Sequence, residues 1–263
     1  MNIYVMNLRR AEDRLKTLRR RFGEAGLSFE RIEGVDGRLL EQAELQRRVP
    51  ADGRWGRLTA GEVGCFLSHR ACWRAFLDAG IRHAAIFEDD VFLGENAAAV
   101  LGDDGWVPGD ADIVKLETTA SRVYLDTSPR GMIDGRRVQR LRSSHYCAAG
   151  YIVSRDCAER LLRQSETFCE ALDDFLFSAL SPVFSTSVVY QLSPAVCVQE
   201  WGVKGEGRTQ DPGTSIEGRE VKQRHGLPPA RRLKEICSKE SRSLMNKSLS
   251  MTGQRQRLRV EFR

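Results

Sequence analysis

The chain has 263 residues, 41% apolar and 29% charged, which suits one main folded domain, with or without a small appendage, and excludes wholesale disorder. Its formal net charge of +5 is unevenly spread: residues 219–263 carry 13 Lys/Arg against 4 Asp/Glu, and the remainder 28 against 32. A cationic end on a mildly acidic body points to anionic lipid head groups or nucleic acid, or to a solvated tail that only aids solubility.

The opening residues MNIYVMNLRRAEDR enter a strand pattern at once, with no apolar stretch of signal-peptide length. Nowhere do about 18 uninterrupted apolar residues occur, so no membrane span is expected and the expected location is cytoplasmic. Cysteines 65, 72, 147, 157, 169, 197 and 237 are odd in number and lack C-x-x-C spacing. That pattern suits a reducing compartment and reads as small core residues.

In chain order, Ile3 to Leu8 predicts a strand and Glu12 to Ala25 a helix, with Leu15, Leu18, Phe22 and Ala25 at helical spacing and Gly26 as its stop. Phe29 to Val35 predicts a second strand closed by Asp36-Gly37, giving a βαβ start. Leu39 to Arg48 reads as a helix. Thr59 caps a long helix to Asp78, Glu62 completing a capping box, with Gly61 and Gly64 allowing close backbone packing. The apolar run from His83 ends in Glu88-Asp89-Asp90, and Asp112 to Leu116 is a short strand ending at Glu117. Residues 121–144 read as a hairpin or loop beside the site. Ala148 to Val153 is a strand, Ser154 caps a helix to about Gln164, and Glu170 to Leu180 forms another helix. Val183 to Leu192 and Ala195 to Gln199 read as closing strands, followed by a Gly-rich loop to Arg219 and a basic helix from about Ala230 to Leu244.

Two strands thus deliver acids at their carboxyl ends, where ligands bind in open α/β sheets. Strand alternation puts Glu88 and Asp90 on one face and Asp89 on the other. Two neighbouring like charges are tolerable together when a cation or donors compensate. A hard divalent ion, Mn²⁺ or Mg²⁺, favours carboxylates and keeps positions open for phosphate oxygens. The alternative is a solvated acidic turn.

Seven motifs occur in order: N-L-x-x-x-x-D-R (Asn7, Leu8, Asp13, Arg14), F-x-R-I-x-G-V-D-G (Phe29 to Gly37), L-T-x-G-E-V-G-C-x-L-S-H (Leu58 to His69, with Trp73 beyond), A-I-F-E-D-D-V (Ala85 to Val91), D-I-V-K-L-E (Asp112 to Glu117), G-Y-I-V-S (Gly150 to Ser154) and Q-L-x-P-A-x-x-V-Q (Gln191 to Gln199). Over about residues 2 to 200 the chain therefore resembles glycosyltransferase family 25, the lipooligosaccharide and collagen galactosyltransferase group.

That resemblance implies an α/β, GT-A-like nucleotide-sugar-binding fold with a mixed central sheet flanked by helices, over residues 1–218, followed by a basic extension, 219–263. It implies a UDP-galactose or UDP-glucose donor and inversion at the anomeric carbon. Asp90 becomes the leading metal ligand, with Glu88 on the metal, a metal-bound water or the ribose. Asn7, Leu8, Arg10, Arg14 and Asp89 fall at the nucleotide-binding end of the first strand and the acidic triplet, and Asp36 could accept from uracil or ribose. For the base that takes the acceptor proton, Asp173 is preferred, Asp174 and Glu117 being the other candidates. His145 and Tyr146 are candidates for the acceptor cleft. His69 is either a helper at the metal or a hydrogen-bonded structural residue.

The resulting expectation is an inverting hexosyltransferase, working on a lipid-linked lipooligosaccharide or lipopolysaccharide acceptor. Its basic end would sit at the inner face of the inner membrane, with no nucleic-acid partner. A metal-dependent phosphoryl-transfer enzyme or nuclease, and a non-catalytic binding module, are the rival readings.

Overall fold

The computed structural model describes residues 1–202 and 229–263. Most of the expected Gly-rich loop, and the 218/219 boundary, lie outside the described residues.

The elements run β1 (Asn2–Leu8), α1 (Glu12–Glu24), β2 (Glu30–Gly34), α2 (Gln42–Arg48), α3 (Ala60–Asp78), β3 (His83–Phe87), β4 (Val91–Leu93), α4 (Ala97–Leu101), β5 (Ile113–Lys115), β6 (Arg122–Asp126), β7 (Gly131–Ile133) and β8 (Arg136–Arg140). They continue with β9 (Gly150–Ser154), α5 (Arg155–Gln164), α6 (Leu172–Phe177), α7 (Pro182–Thr186), β10 (Val189–Ser193), β11 (Cys197–Gln199), α8 (Pro229–Met251) and β12 (Arg255–Arg259).

Eight strands form one mixed sheet in the order β2-β1-β3-β9-β5-β10-β8-β7. β1 pairs in parallel with β2 and β3, while β9 runs antiparallel between β3 and β5. The carboxyl ends of β1, β3 and β5 therefore open on the same edge. Helices cover both faces, because successive strand residues point to opposite sides. Tyr4, Met6, Ala84 and Ile86 pack with Phe66, Trp73 and Phe76 of α3, whereas Ile3, Val5, Ala85 and Phe87 pack with Leu18 and Phe22 of α1.

The expected caps are formed. The Thr59 hydroxyl accepts from the Glu62 amide at 3.2 Å, and the Glu62 carboxylate accepts from the Thr59 amide at 2.8 Å. Ser154 accepts from the Cys157 amide and starts α5. Gly64 lets α3 lie against the turn after β2. A Cβ there would stand 2.5 Å from the Val35 carbonyl oxygen and 2.6 Å from the Gly37 nitrogen, both backbone atoms. Gly64→Ala is accordingly expected to destabilise the protein by about 1–3 kcal/mol, the usual cost of overpacking. A lowered urea midpoint measures this; an unchanged midpoint contradicts the close approach.

Three expectations need correction. Residues 182–186 are helical, not strand: Pro182 occupies the first turn, where its missing N–H costs nothing, and Ser181 caps it. The hairpin expected within 121–144 is present as β7 and β8, paired antiparallel, but the stretch also holds β6, and the hairpin forms the edge of the main sheet, so the loop reading is set aside. The basic end is not a simple appendage either. The helix runs on to Met251, and β12 pairs antiparallel with β6. Val260 is fully buried, its carbonyl accepts from Thr118 Oγ1 at 2.7 Å, and the Arg263 amide donates to the Ala195 carbonyl at 3.1 Å.

Candidate active site

The acidic triplet follows β3 and keeps its alternation. Glu88 and Asp90 continue the side of Ile86, toward α3, and Asp89 continues the side of Phe87, toward α1. There Asp89 accepts from Asn7 Nδ2 at 2.7 Å and from Arg14 Nη1 at 3.1 Å. Asn7 is held further, donating to the Ala11 carbonyl and accepting from Arg31 Nε. Leu8 ends β1 beside this network and is half-buried. Arg10 pairs with Asp36 at 2.9 Å, Arg38 also reaching Asp36 at 2.8 Å. The hydrogen bonds from Arg38, with that from Arg10, hold the Asp36 carboxyl well below the usual range. Asp36 thus caps the turn after β2, and Arg10, half exposed, lies beside it.

Glu88 and Asp90 converge on one side chain that comes from far along the chain. β4 and β11 pair so that Gln199 lies opposite Val91, and the Glu200 amide donates to the Asp90 carbonyl at 2.8 Å. The Gln199 amide nitrogen donates to Glu88 Oε2 at 3.2 Å and to both Asp90 oxygens at 3.3 and 3.2 Å. Two carboxylates focused on one small donor form a pair that a divalent cation fits by charge and donor type. Burial, reinforced by Asp89 and, for Asp90, by Glu88 itself, pushes both carboxyls up to about 7. A divalent ion would reverse that bias.

Beneath them lies a chain of hydrogen bonds. Trp73 Nε1 donates to Tyr151 Oη at 2.8 Å, Tyr151 Oη meets His69 Nδ1 at 3.0 Å, and His69 Nε2 meets Glu88 Oε1 at 3.3 Å. His69 is fully buried, and that burial brings its pKa down to about 3. It is a neutral, hydrogen-bonded residue, as the structural reading expected, and one of its bonds is to Glu88.

Glu117 ends up close by but enclosed. It is fully buried, accepting at Oε2 from Lys115 Nζ at 3.2 Å and from the Ala149 amide at 2.9 Å, with burial raising its pKa to about 7. The carbonyl of the same Ala149 accepts from the Glu88 amide at 3.0 Å, so one residue of the chain entering β9 ties both acids together. Lys115 Nζ also donates to the Cys147 carbonyl and lies 4.2 Å from the Phe177 ring centroid. Glu117 braces the floor of the site, which its enclosure fits better than proton transfer with substrate.

Asp173 and Asp174, neighbours at the start of α6, diverge. Asp173 lines a cleft with Glu62, Cys65, Glu88, Cys147 and Gln199. Its carboxylate accepts from the Cys147 amide at 3.3 Å and from the Asp174 amide at 2.9 Å. Asp174 turns inward, 3.7 Å from Arg54 Nη1, and desolvation with the Asp173 charge lifts it to about 6. His145 corrects an expectation. It is 1% exposed, Nδ1 at 2.7 Å from Gln191 Oε1 and Nε2 accepting from the Thr119 amide. With both ring nitrogens engaged inside the protein it cannot line an acceptor cleft, whereas Tyr146 is 43% exposed.

The sequence reading gave no role to Gln199, Lys115 or Tyr151, and the expectation of Cys65 as a core residue is corrected: it is half-buried and lines the cleft. Signals existed: Gln199 closes the last motif, and Lys115 is a charge inside an otherwise apolar strand.

These groups set an acid limit to stability. His69 and His145 titrate near 3 in the fold against 6.5 ordinarily, so below pH 6.5 the unfolded chain binds more protons and stability falls with falling pH. Each costs about 1.4 kcal/mol per pH unit in that window. Glu88, Asp90 and Glu117, raised to about 7 from 3.8–4.5, act oppositely: between pH 4 and 7 the folded state holds more protons, and stability rises as pH falls. With three acids against two imidazoles, stability is expected to rise modestly, by about 1.4 kcal/mol per unit, as the pH falls from 6.5 to about 4.5 and to drop steeply below that, read in urea midpoints. A steep loss already at pH 6 contradicts the assignment.

The family model described as glycosyltransferase family 25 (LPS biosynthesis protein) matches residues 1–176. The chain belongs to glycosyltransferase family 25. It is a glycosyltransferase, an enzyme that transfers a sugar. It is 36% identical over 211 residues to the lacto-N-neotetraose biosynthesis glycosyltransferase LgtB of Neisseria meningitidis serogroup B, covering 76% of each chain. To LgtE of the same organism it is 32% identical over 213 residues, covering 76% of this chain and 74% of that one. To the lipooligosaccharide biosynthesis protein lic2B of Haemophilus influenzae it is 30% identical over 205 residues, covering 75% of each. A solved glycosyltransferase involved in the glycosylation of the major capsid of PBCV-1 overlays with a TM-score of 0.42 at 11% identity, covering 77% of this glycosyltransferase and 93% of that chain. That likeness is too loose to assign any residue. Among the described residues, no helix of the glycosyltransferase is long and apolar enough to cross a membrane.

Proposed function

We propose that this glycosyltransferase moves a hexose, galactose by preference, from a UDP-sugar to a glycan acceptor of lipooligosaccharide or lipopolysaccharide type, with inversion, on a GT-A-type fold. The observation that carries the reading is the convergence of Glu88 and Asp90 on one point at the carboxyl edge of the sheet, beside the cleft that Asp173 lines. The names of the relatives, which make lacto-N-neotetraose and lipooligosaccharide, support the acceptor class.

Asp90 and Glu88 would hold Mn²⁺ or Mg²⁺, which supplies charge neutralisation on the departing diphosphate. Asn7, Arg14 and Asp89 form a hydrogen-bonded rim at the end of β1. The nucleotide takes over part of that network, Arg14 exchanging a carboxylate for phosphate oxygens, the bidentate partner its fork suits. Leu8 supplies an apolar contact, and opening the Arg10 contact to Asp36 frees Arg10 for base or ribose, while Asp36 stays held by Arg38 and can accept further only at its remaining lone pairs. Asp173 takes the proton of the acceptor hydroxyl on its cleft-facing carboxylate, which two backbone amides aim. Tyr146, exposed next to Cys147, contacts the acceptor.

The test is release of UDP from UDP-galactose and UDP-glucose with Mn²⁺ and a lipooligosaccharide core oligosaccharide as acceptor. No UDP-sugar turnover by the wild type, with hydrolysis of nucleic acid or phosphoesters instead, would replace this reading with the phosphoryl-transfer one.

For the lipid-linked acceptor, α8 offers a surface. Cys237, Leu244 and Met251 recur every seven residues and are exposed, Leu244 to 67% and Met251 to 89%, with Lys239 and Lys247 also exposed. Such a helix suits an anionic interface. The double variant Lys239→Glu/Lys247→Glu should bind anionic vesicles at least about tenfold more weakly, at about 1 kcal/mol per cation. Unchanged vesicle binding removes the membrane role. Charge reversal is the right tool because truncation would also remove β12.

A further inference from the structure

We infer that the floor of the cleft carries a second cation site, for thiophilic divalent ions of the Zn²⁺ class, built from Cys65, His69 and Glu88. The inference does not rest on the sugar-transfer reading.

One sulfur, one nitrogen and one oxygen ligand atom from these residues lie within 4.8 Å of one another. The Cys65 sulfur is 3.9 Å and the His69 Nε2 3.3 Å from Glu88 Oε1. Bonds of about 2.0–2.3 Å at tetrahedral angles separate such donors by roughly 3.3–3.8 Å, so these atoms need only small movements to share an ion. Cys65 and His69 are four residues apart on α3 and therefore share one helix face. Cys65 and Glu88 line the open cleft, which leaves a path for the ion and a position for a fourth ligand from solvent.

The donor set is unlike that of Glu88 with Asp90. Oxygen-only pairs suit hard ions, whereas a thiolate with an imidazole favours zinc, cobalt and copper over magnesium or manganese. The two sites share Glu88 and so compete for it. The second observation is the support behind the imidazole. A metal-bound histidine is normally fixed by a hydrogen bond at its other nitrogen. Here His69 Nδ1 lies 3.0 Å from Tyr151 Oη, which Trp73 Nε1 anchors at 2.8 Å. That oxygen can accept from both, leaving Nε2 free to ligate.

Charge balances as well. An ordinary thiol is mostly protonated at neutral pH, and Cys65 loses that proton only when a cation takes its sulfur. Binding transfers that proton to solvent, and the resulting thiolate and the Glu88 carboxylate match the two positive charges of the ion.

The test uses the full-length protein in a non-thiol reductant, titrated with Co²⁺. Wild type is expected to develop a thiolate-to-cobalt charge-transfer absorption, saturating at one ion per chain and bleached by one equivalent of Zn²⁺. Cys65→Ser should lose that absorption, and His69→Asn should weaken cobalt binding at least about tenfold, while Asp90→Asn keeps it. Circular dichroism checks each variant, and Cys65→Ser at the cleft surface decides if His69→Asn misfolds. Absence of the band in wild type, or its persistence in Cys65→Ser through another cysteine, overturns the inference. Cobalt binding without UDP-sugar turnover would leave this site standing and remove the proposed function; turnover without cobalt binding would do the reverse.

Discussion

Asp90→Asn is expected to lower kcat for sugar transfer by about a thousandfold or more and to weaken Mn²⁺ binding, without lowering stability. The activity loss follows from the metal's contribution to transition-state charge, several kcal/mol, of which about 4 kcal/mol is three tenfold steps in rate. The stability expectation comes from the site without metal. Asp90 is half-buried, it repels Glu88, and its pKa is driven to about 7 mainly by desolvation. An asparagine removes the repulsion while its carbonyl still accepts from Gln199, which now donates to both Asp90 oxygens. Function and stability pull in opposite directions at such a position. Turnover with a UDP-sugar and urea unfolding should be measured on the same preparation. Activity within tenfold of wild type would remove Asp90 from the metal. An equal loss of activity and stability would make it a structural residue.

Asp173→Asn and Asp174→Asn are expected to behave differently, although the two residues are adjacent. At Asp173 an amide cannot take the acceptor proton, so kcat should drop about 10²- to 10⁴-fold with the donor KM little changed. Stability should move little, because the side chain faces the cleft and an asparagine carbonyl can still accept one amide hydrogen bond. At Asp174 neither property should fall. It lies 3.7 Å from Arg54, which keeps Glu235 of α8 at 3.0 Å, and the burial that lifts the Asp174 carboxyl to about 6 favours a neutral side chain. Stability equal to or above wild type, with kcat within tenfold, is expected in urea unfolding and turnover of Asp174→Asn. If Asp174→Asn is the variant that loses kcat with stability intact, the base assignment must be exchanged.

Much of the site's backbone frame was legible beforehand because its signals are local. Alternation alone separated Asp89 from Glu88 and Asp90, and the structure keeps that separation with different partners on each side. Thr59 with Glu62 marked the start of α3 because a capping box needs only two intervening positions. Pro182 shows the opposite case. The segment from Val183 is apolar and β-branched enough to read as strand, yet a proline in a first turn and the Ser181 cap begin a helix that the apolar composition does not reveal. His145 shows another. Nothing in Ser-His-Tyr-Cys says that the imidazole turns inward to Gln191 while the tyrosine stays outside.

By itself the sequence determined the family, the order of the principal elements, the parity of the acidic triplet and the caps, all of which depend on residues within a few positions of each other or on ordered motifs. Only the tertiary structure decided that Gln199 reaches Glu88 and Asp90, that Asp173 rather than Asp174 faces the cleft, that Glu117 is walled in, and that the basic end returns as β12 to pair with β6. Those outcomes depend on strand pairing between distant segments and on the rotation at which a helix packs. A side chain's partner across a sheet, and the side of a helix that meets it, are set by the whole core together.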